Sequence, residues 1–194
     1  MIRSQRKSAG PSRPLKRAIP VSGPLFVCHA NCCRSVLARY LYRHLCHAPA
    51  RSAGLDPGDE INDRAERLLR AWGIDASDHR PSKVTRDGCV AADAIFVMGP
   101  SYLHRLVSEY GEDLATRSYL FADPFSRPAT FENRKYIVWD PSFDNRPTSD
   151  LLNEVSWMRE RVLQIRLALL GHGPRLVPLS EYLDLCRTVD PEGH

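Results

Sequence analysis

Cys28 and Arg34 bracket the segment Phe26-Val27-Cys28-His29-Ala30-Asn31-Cys32-Cys33-Arg34-Ser35, which joins a nucleophile to the parts of an anion site. A cysteine thiolate is a strong nucleophile, and the planar guanidinium of Arg34 grips two oxygens of a tetrahedral anion as no ammonium does. Ser35 can donate a hydroxyl hydrogen bond to the sulfur. These parts suit cleavage of a phosphate monoester. Charge repulsion keeps water from the dianion, so a catalyst must neutralise its oxygens and hold a nucleophile in line with the leaving group. Attack by Cys28 would divide that step in two through a cysteinyl-phosphate. The departing alkoxide or phenoxide then needs a proton, and among the Asp-Pro dipeptides Asp140-Pro141, with Asp123-Pro124 as its rival, offers a rigidly placed carboxylate.

Such a loop works only between elements that aim its amides at the anion. The apolar run Pro24 to Val27 suits a buried strand, and Leu37, Tyr40, Leu41 and Leu45 mark one face of a helix over 33 to 46. Residues 28 to 35 therefore open a helix. Its first N–H groups have no intrahelical partner and its dipole makes that end positive, which favours both an oxyanion on the amides of His29, Ala30, Asn31, Cys32 and Cys33 and a thiolate at Cys28. Further along, Ala50 to Gly54 reads as a second strand, Ile61 to Trp72 as a helix stopped by Gly73, and Ala94 to Val97 as a third strand. Ser101 to Tyr110 reads as a helix, Tyr119 to Phe121 as a fourth strand, and Ser149 to Leu170 as one long amphipathic helix. Strands alternating with helices imply an α/β parallel sheet covered on both faces, with the ligand beyond the carboxyl ends of its strands.

The loop resembles the active-site loop of the low-molecular-weight protein tyrosine phosphatases, which carries Cys-x5-Arg-Ser between a first strand and a first helix. Further blocks fall in that family's order: Ser52-Ala53-Gly54, then Gly73-Ile74-Asp75 leading to His79-Arg80, then Ala92 to Met98, then Trp139-Asp140-Pro141-Ser142-Phe143. The resemblance spans about residues 24 to 170. It implies a three-layer, doubly wound fold with a four-stranded parallel sheet in flavodoxin-like order, and a cysteine-dependent phosphatase acting on phosphorylated protein, phosphotyrosine above all, or on a small phosphate monoester. It assigns Cys28 as nucleophile, Arg34 as anion clamp, Asp140 rather than Asp123 as general acid and base, Asn31 as loop support and Phe143 as pocket wall. His79 and Arg80 are expected to organise hydrogen bonds rather than touch substrate. Cys33 stands where the family has a second cysteine able to form a reversible disulfide with the nucleophile. Ala30 replaces a usual Gly, Val36 a usual Pro and Ser142 a common aromatic, and a Cβ at Ala30 would strain the loop if that position used positive φ. Two other readings share the fold: a non-catalytic phosphate- or phosphoprotein-binding module, and an arsenate reductase. The latter needs further cysteines beyond the third strand, where Met98 and Gly99 stand.

Composition bounds the rest. A chain of 194 residues allows one ordinary domain plus tails, here a basic disordered tail over 1 to 23, a domain over 24 to 170 and an extension over 171 to 194. The net charge is +4, but Arg3, Arg6, Lys7, Arg13, Lys16 and Arg17 precede residue 20 without any acidic residue, so the remainder is net negative and no nucleic-acid surface is expected. The six cysteines, with Cys32 and Cys33 adjacent, form neither a secreted disulfide framework nor spaced zinc pairs, and point to a reducing cytoplasm. No apolar run approaches the ~20 residues of a membrane span. No metal or cofactor is implied, since Arg34 and the loop amides neutralise the anion.

Overall fold

The structure, a computed structural model, describes residues 22–131, 137–143 and 145–186. The basic tail expected over 1 to 23 lies outside the described residues except for its last two positions. Four strands, β1 (Leu25–Cys28), β2 (Arg51–Gly54), β3 (Ile95–Val97) and β4 (Ser118–Leu120), form one sheet in the order β2-β1-β3-β4. Every pairing is parallel, with Phe26 opposite Ser52 on one side and Phe96 on the other. The helices are α1 (Arg34–Cys46), α2 (Asp63–Ala71), α3 (Arg86–Val90), α4 (Pro100–Tyr110), α5 (Thr148–Val155), α6 (Trp157–Leu169) and α7 (Leu183–Cys186). This is the three-layer, flavodoxin-like order that the sequence implied.

Alternation along the short strands separates two cores. Phe26, Phe96 and Met98 face one side and pack with Val36, Leu37 and Leu41 of α1, Leu68 and Leu69 of α2, and Met158, Val162 and Ile165 of α6. Leu25, Val27, Ile95 and Val97 face the other, against Leu103, Leu106 and Val107 of α4. Phe26 anchors the first core through Phe96 and Phe121, with ring centroids 5.8 and 5.7 Å away. Both faces of β1 are thereby buried, which fixes the height at which Cys28 leaves the sheet. Val177, Leu179 and Tyr182, from the segment after α6, are buried in the second core.

Two elements differ from expectation. The apolar stripe from 149 to 170 belongs to two helices, because Ser156 interrupts the ladder: its amide and its hydroxyl both go to the Asn153 carbonyl, at 3.3 and 2.6 Å. The five-residue α3 was not foreseen, being too short to show a period; Thr85 caps it by accepting from the Gly88 amide at 3.1 Å. No helix among the described residues is long and apolar enough to cross a membrane.

Candidate active site

Cys28 ends β1 and is buried, and the chain turns through residues 29 to 33 into α1. The carbonyls of Cys28, His29, Ala30 and Cys32 accept from the amides of Leu55, Asp56, Gly58 and Asn62 at 3.1, 3.0, 2.9 and 2.9 Å. A trans peptide points its N–H opposite to its C=O. The amides of His29, Ala30, Asn31 and Cys33 are therefore turned away from the 55 to 62 segment and into the hollow of the loop. Among the described residues, the amides of Ala30 to Arg34 donate to no other backbone carbonyl, so they stand open to an oxyanion.

Asn31 fixes the turn. Its φ of 54° is left-handed, a region Asn enters at low cost. Its side chain donates to Ser35 Oγ at 3.0 Å and accepts from the Ser82 amide at 3.0 Å, while its carbonyl accepts from His79 Nε2 at 2.8 Å. Ser35 Oγ lies 3.0 Å from Cys28 Sγ; having accepted from Asn31, it has its own proton free for the sulfur. The strain expected at Ala30 does not arise, since Asn31, not Ala30, takes the positive φ. Gly54 approaches so closely that a Cβ there would stand 2.6 Å from the His29 oxygen. The third residue of the Ser52-Ala53-Gly54 block thus admits the loop to the sheet edge. Val36 is buried in the first turn of α1 without a proline.

Arg34 is buried and surrounded on three sides. Its Nε lies 2.9 Å from Asp140 Oδ2, an ion pair whose N–H is not aligned for a hydrogen bond. Nη2 donates to the Tyr102 hydroxyl at 2.9 Å, and Nη1 to the Val138 carbonyl at 3.4 Å. Burial works against its charge, but Asp140, Tyr102 and Cys28 more than offset it and hold the guanidinium protonated. Asp140 Oδ1 accepts from the Ser142 amide and hydroxyl at 3.0 and 2.7 Å, so the Ser in place of an aromatic closes the carboxylate's own turn. The Val138 amide donates to the Met98 carbonyl at 2.9 Å and docks this segment beside β3. Asp123 instead accepts from the Phe125 amide and the Ser126 hydroxyl, a turn following β4. Phe143 is 86% exposed at the edge of the Asp140 segment.

The three loop cysteines differ. Burial, then the negative charges of Asp140 and Cys28, push the Cys33 thiol well above its ordinary pKa. Burial also raises Cys32, against a hydrogen bond from the Gly58 amide. Both stay neutral thiols at neutral pH, and Cys28 alone has the Ser35 hydroxyl at its sulfur. All three are free, as is Cys89. His79 braces the loop as expected, and Arg80 binds the Ser77 and His79 carbonyls. Asp93 accepts from the Gly23 amide before β1, at the end of the sheet away from Cys28. Tyr102, Ser82 and Val138 were not anticipated. The signal for Tyr102 was Gly99-Pro100, one residue beyond β3, a helix start at the edge where such sheets bind ligands.

The low molecular weight phosphotyrosine protein phosphatase profile matches residues 24–133. A YwlE mutant from Bacillus subtilis is similar in structure, with a TM-score of 0.65 at 19% identity over 76% of this chain and 98% of that one. The YwlE arginine phosphatase from Geobacillus stearothermophilus gives 0.62 at 22% identity, over 79% of this chain and 99% of that one. The tyrosine phosphatase Wzb from Escherichia coli gives 0.61 at 19%, over 77% and 99%. No curated protein sequence matches.

Proposed function

The chain belongs to the low molecular weight phosphotyrosine protein phosphatase family, and from that premise we propose that it hydrolyses phosphate monoesters of protein side chains, phosphotyrosine first among them, through a cysteinyl-phosphate at Cys28. One observation carries the reading: a cysteine sulfur, a ring of outward-facing carbonyls and the ion pair of buried Arg34 with half-buried Asp140 meet at the carboxyl end of β1. In this mechanism the phosphoryl oxygens take the loop amides and Arg34, and the Cys28 sulfur attacks phosphorus as the ester oxygen leaves. The incoming dianion competes with Asp140 for the guanidinium and frees Oδ2, which takes up a proton from solvent once the ion pair is broken. The carboxyl group then protonates the leaving oxygen and afterwards takes a proton from the water that cleaves the S–P bond, returning thiolate and inorganic phosphate. Phe143 is the ring available to an aromatic leaving group.

Turnover of an aryl phosphate tests the chemistry. Cys28→Ser should abolish it while vanadate and phosphate still bind, and retained turnover would sink the covalent step. Asp140→Asn should slow poor leaving groups by ~10²-fold or more, and Asp123→Asn far less. The similar structures include both tyrosine and arginine phosphatases, so phosphotyrosine and phosphoarginine peptides belong in one assay. A preference for phosphoarginine, whose phosphorus is bonded to nitrogen, would replace the phosphomonoester substrate of the proposal and leave Cys28 in its role.

A further inference from the structure

We propose that Tyr102 is a positioning residue of this site, holding the Arg34 fork in the orientation that receives the phosphoryl oxygens; the role rests on the phosphatase reading above. Arg34 has five N–H groups and every one is a donor. One on Nη1 goes to Val138 and one on Nη2 to Tyr102, which leaves the Nε–H, the second Nη1–H and the second Nη2–H for an anion once Asp140 yields. Without Tyr102, the long Val138 contact would be the aligned hydrogen bond remaining to the guanidinium among the described residues.

The geometry of Tyr102 is more than a single hydrogen bond. Its ring also lies against the guanidinium, with Arg34 Cζ 5.2 Å from the centroid, and stacks on His29 at 6.3 Å and 28°. It therefore contacts residues on both sides of the loop, one just after Cys28 and the other at the start of α1. Its own placement is rigid. Gly99 is extended, Pro100 begins α4, and Tyr102 sits in the first turn, four residues after Met98, whose amide donates to the Val27 carbonyl at 3.0 Å. Met98 also accepts the Val138 amide, so both groups that orient Arg34 hang from the carboxyl end of β3. The hydroxyl oxygen accepts from Arg34, and its proton remains free to meet an oxyanion held on the same nitrogen.

Tyr102→Phe keeps the ring and removes the acceptor. Phosphate affinity, measured by calorimetry on the full chain, should fall about 10- to 100-fold, the range for a hydrogen bond to a charged group. With an aryl phosphate, kcat/KM should fall by a similar factor at unchanged melting temperature, and Tyr102→Gln, which restores an acceptor, should recover part of it. A structural role would instead lower the melting temperature and spare phosphate affinity. Unchanged affinity and kinetics in Tyr102→Phe would overturn the proposal while the phosphatase reading stood. A parent protein that binds phosphate but turns nothing over would defeat that reading alone, since the affinity loss in Tyr102→Phe would still support the positioning role. A parent that binds no phosphate overturns both.

Discussion

Single atoms decide the shape of the cradle. Asn31 supplies the left-handed residue and three hydrogen-bonding groups, and Gly54 supplies the empty space opposite. A methyl group at Gly54 would meet backbone, the His29 oxygen at 2.6 Å and the Ala30 carbon and Asn31 nitrogen at 2.9 Å, so no rotamer change relieves it. Gly54→Ala should cost about 1–3 kcal/mol by overpacking and weaken phosphate binding further, because the displaced peptides are the ones aimed at the anion. Urea unfolding and phosphate titration read the two effects, and a variant with parental affinity would contradict the close approach. Cys28 and Arg34 stood out by their chemistry and spacing, and the family resemblance added Asn31 and Asp140. The sequence did not name Tyr102 or Val138, since both reach Arg34 through tertiary approach; Gly99-Pro100 marked a helix start near the site but not which side chain would meet Arg34.

Among the elements, α1 and the loop before it are tied through His79. Arg39 of α1 is donor-only and lies 3.2 Å from His79 Nδ1, while Nε2 faces the Asn31 carbonyl, so the ring must be neutral with its proton on Nε2. Burial lowers its pKa below 6.5, in agreement. The unfolded chain therefore takes up the proton first as the medium is acidified. The stability His79 confers is complete above pH 6.5 and is lost as the pH falls from there through the folded-state pKa. His79→Gln can donate to Asn31 and accept from Arg39 without titrating. Thermal melts between about pH 7.5 and 5.5 should show a shallower decline for this variant than for the parent; parallel declines would place the acid sensitivity elsewhere. Strand and helix positions were legible because β1 and β3 are short continuous apolar runs and α1 carries a clear apolar period. The break at Ser156 was not, because a serine within an apolar stripe changes no period and acts through its hydroxyl on Asn153.

For the molecule as a whole, the end of the described chain is part of the interior. Leu179 is fully buried and Tyr182 nearly so, in the core shared with β3 and α4, and the Val177 amide donates to the Pro124 carbonyl at 2.8 Å. Deleting residues 171 to 194 should cost roughly 3–6 kcal/mol, from about 1.5–3 kcal/mol for each large buried side chain lost. Urea midpoints check this, and a truncated protein as stable as the parent would make the extension dispensable. The domain limit at 170 followed the extent of the family resemblance, and Val177, Leu179 and Tyr182 beyond it pack in the second core. The apolar residues Leu176, Val177, Leu179, Tyr182 and Leu185 in the sequence already suggested a tail that wraps the body, though they are spaced too sparsely to show a face.

In the proposed mechanism the loop meets its anion with main-chain amides while its carbonyls accept from residues 55 to 62, which makes most of its side chains spectators to phosphate recognition. Tolerance to variation should then follow backbone duty and not distance from the reacting sulfur. His29, Ala30 and Cys32 form a permissive alphabet through which evolution or a combinatorial library could redraw the surroundings of the phosphate. Asn31, with its left-handed turn, is the letter that cannot be exchanged.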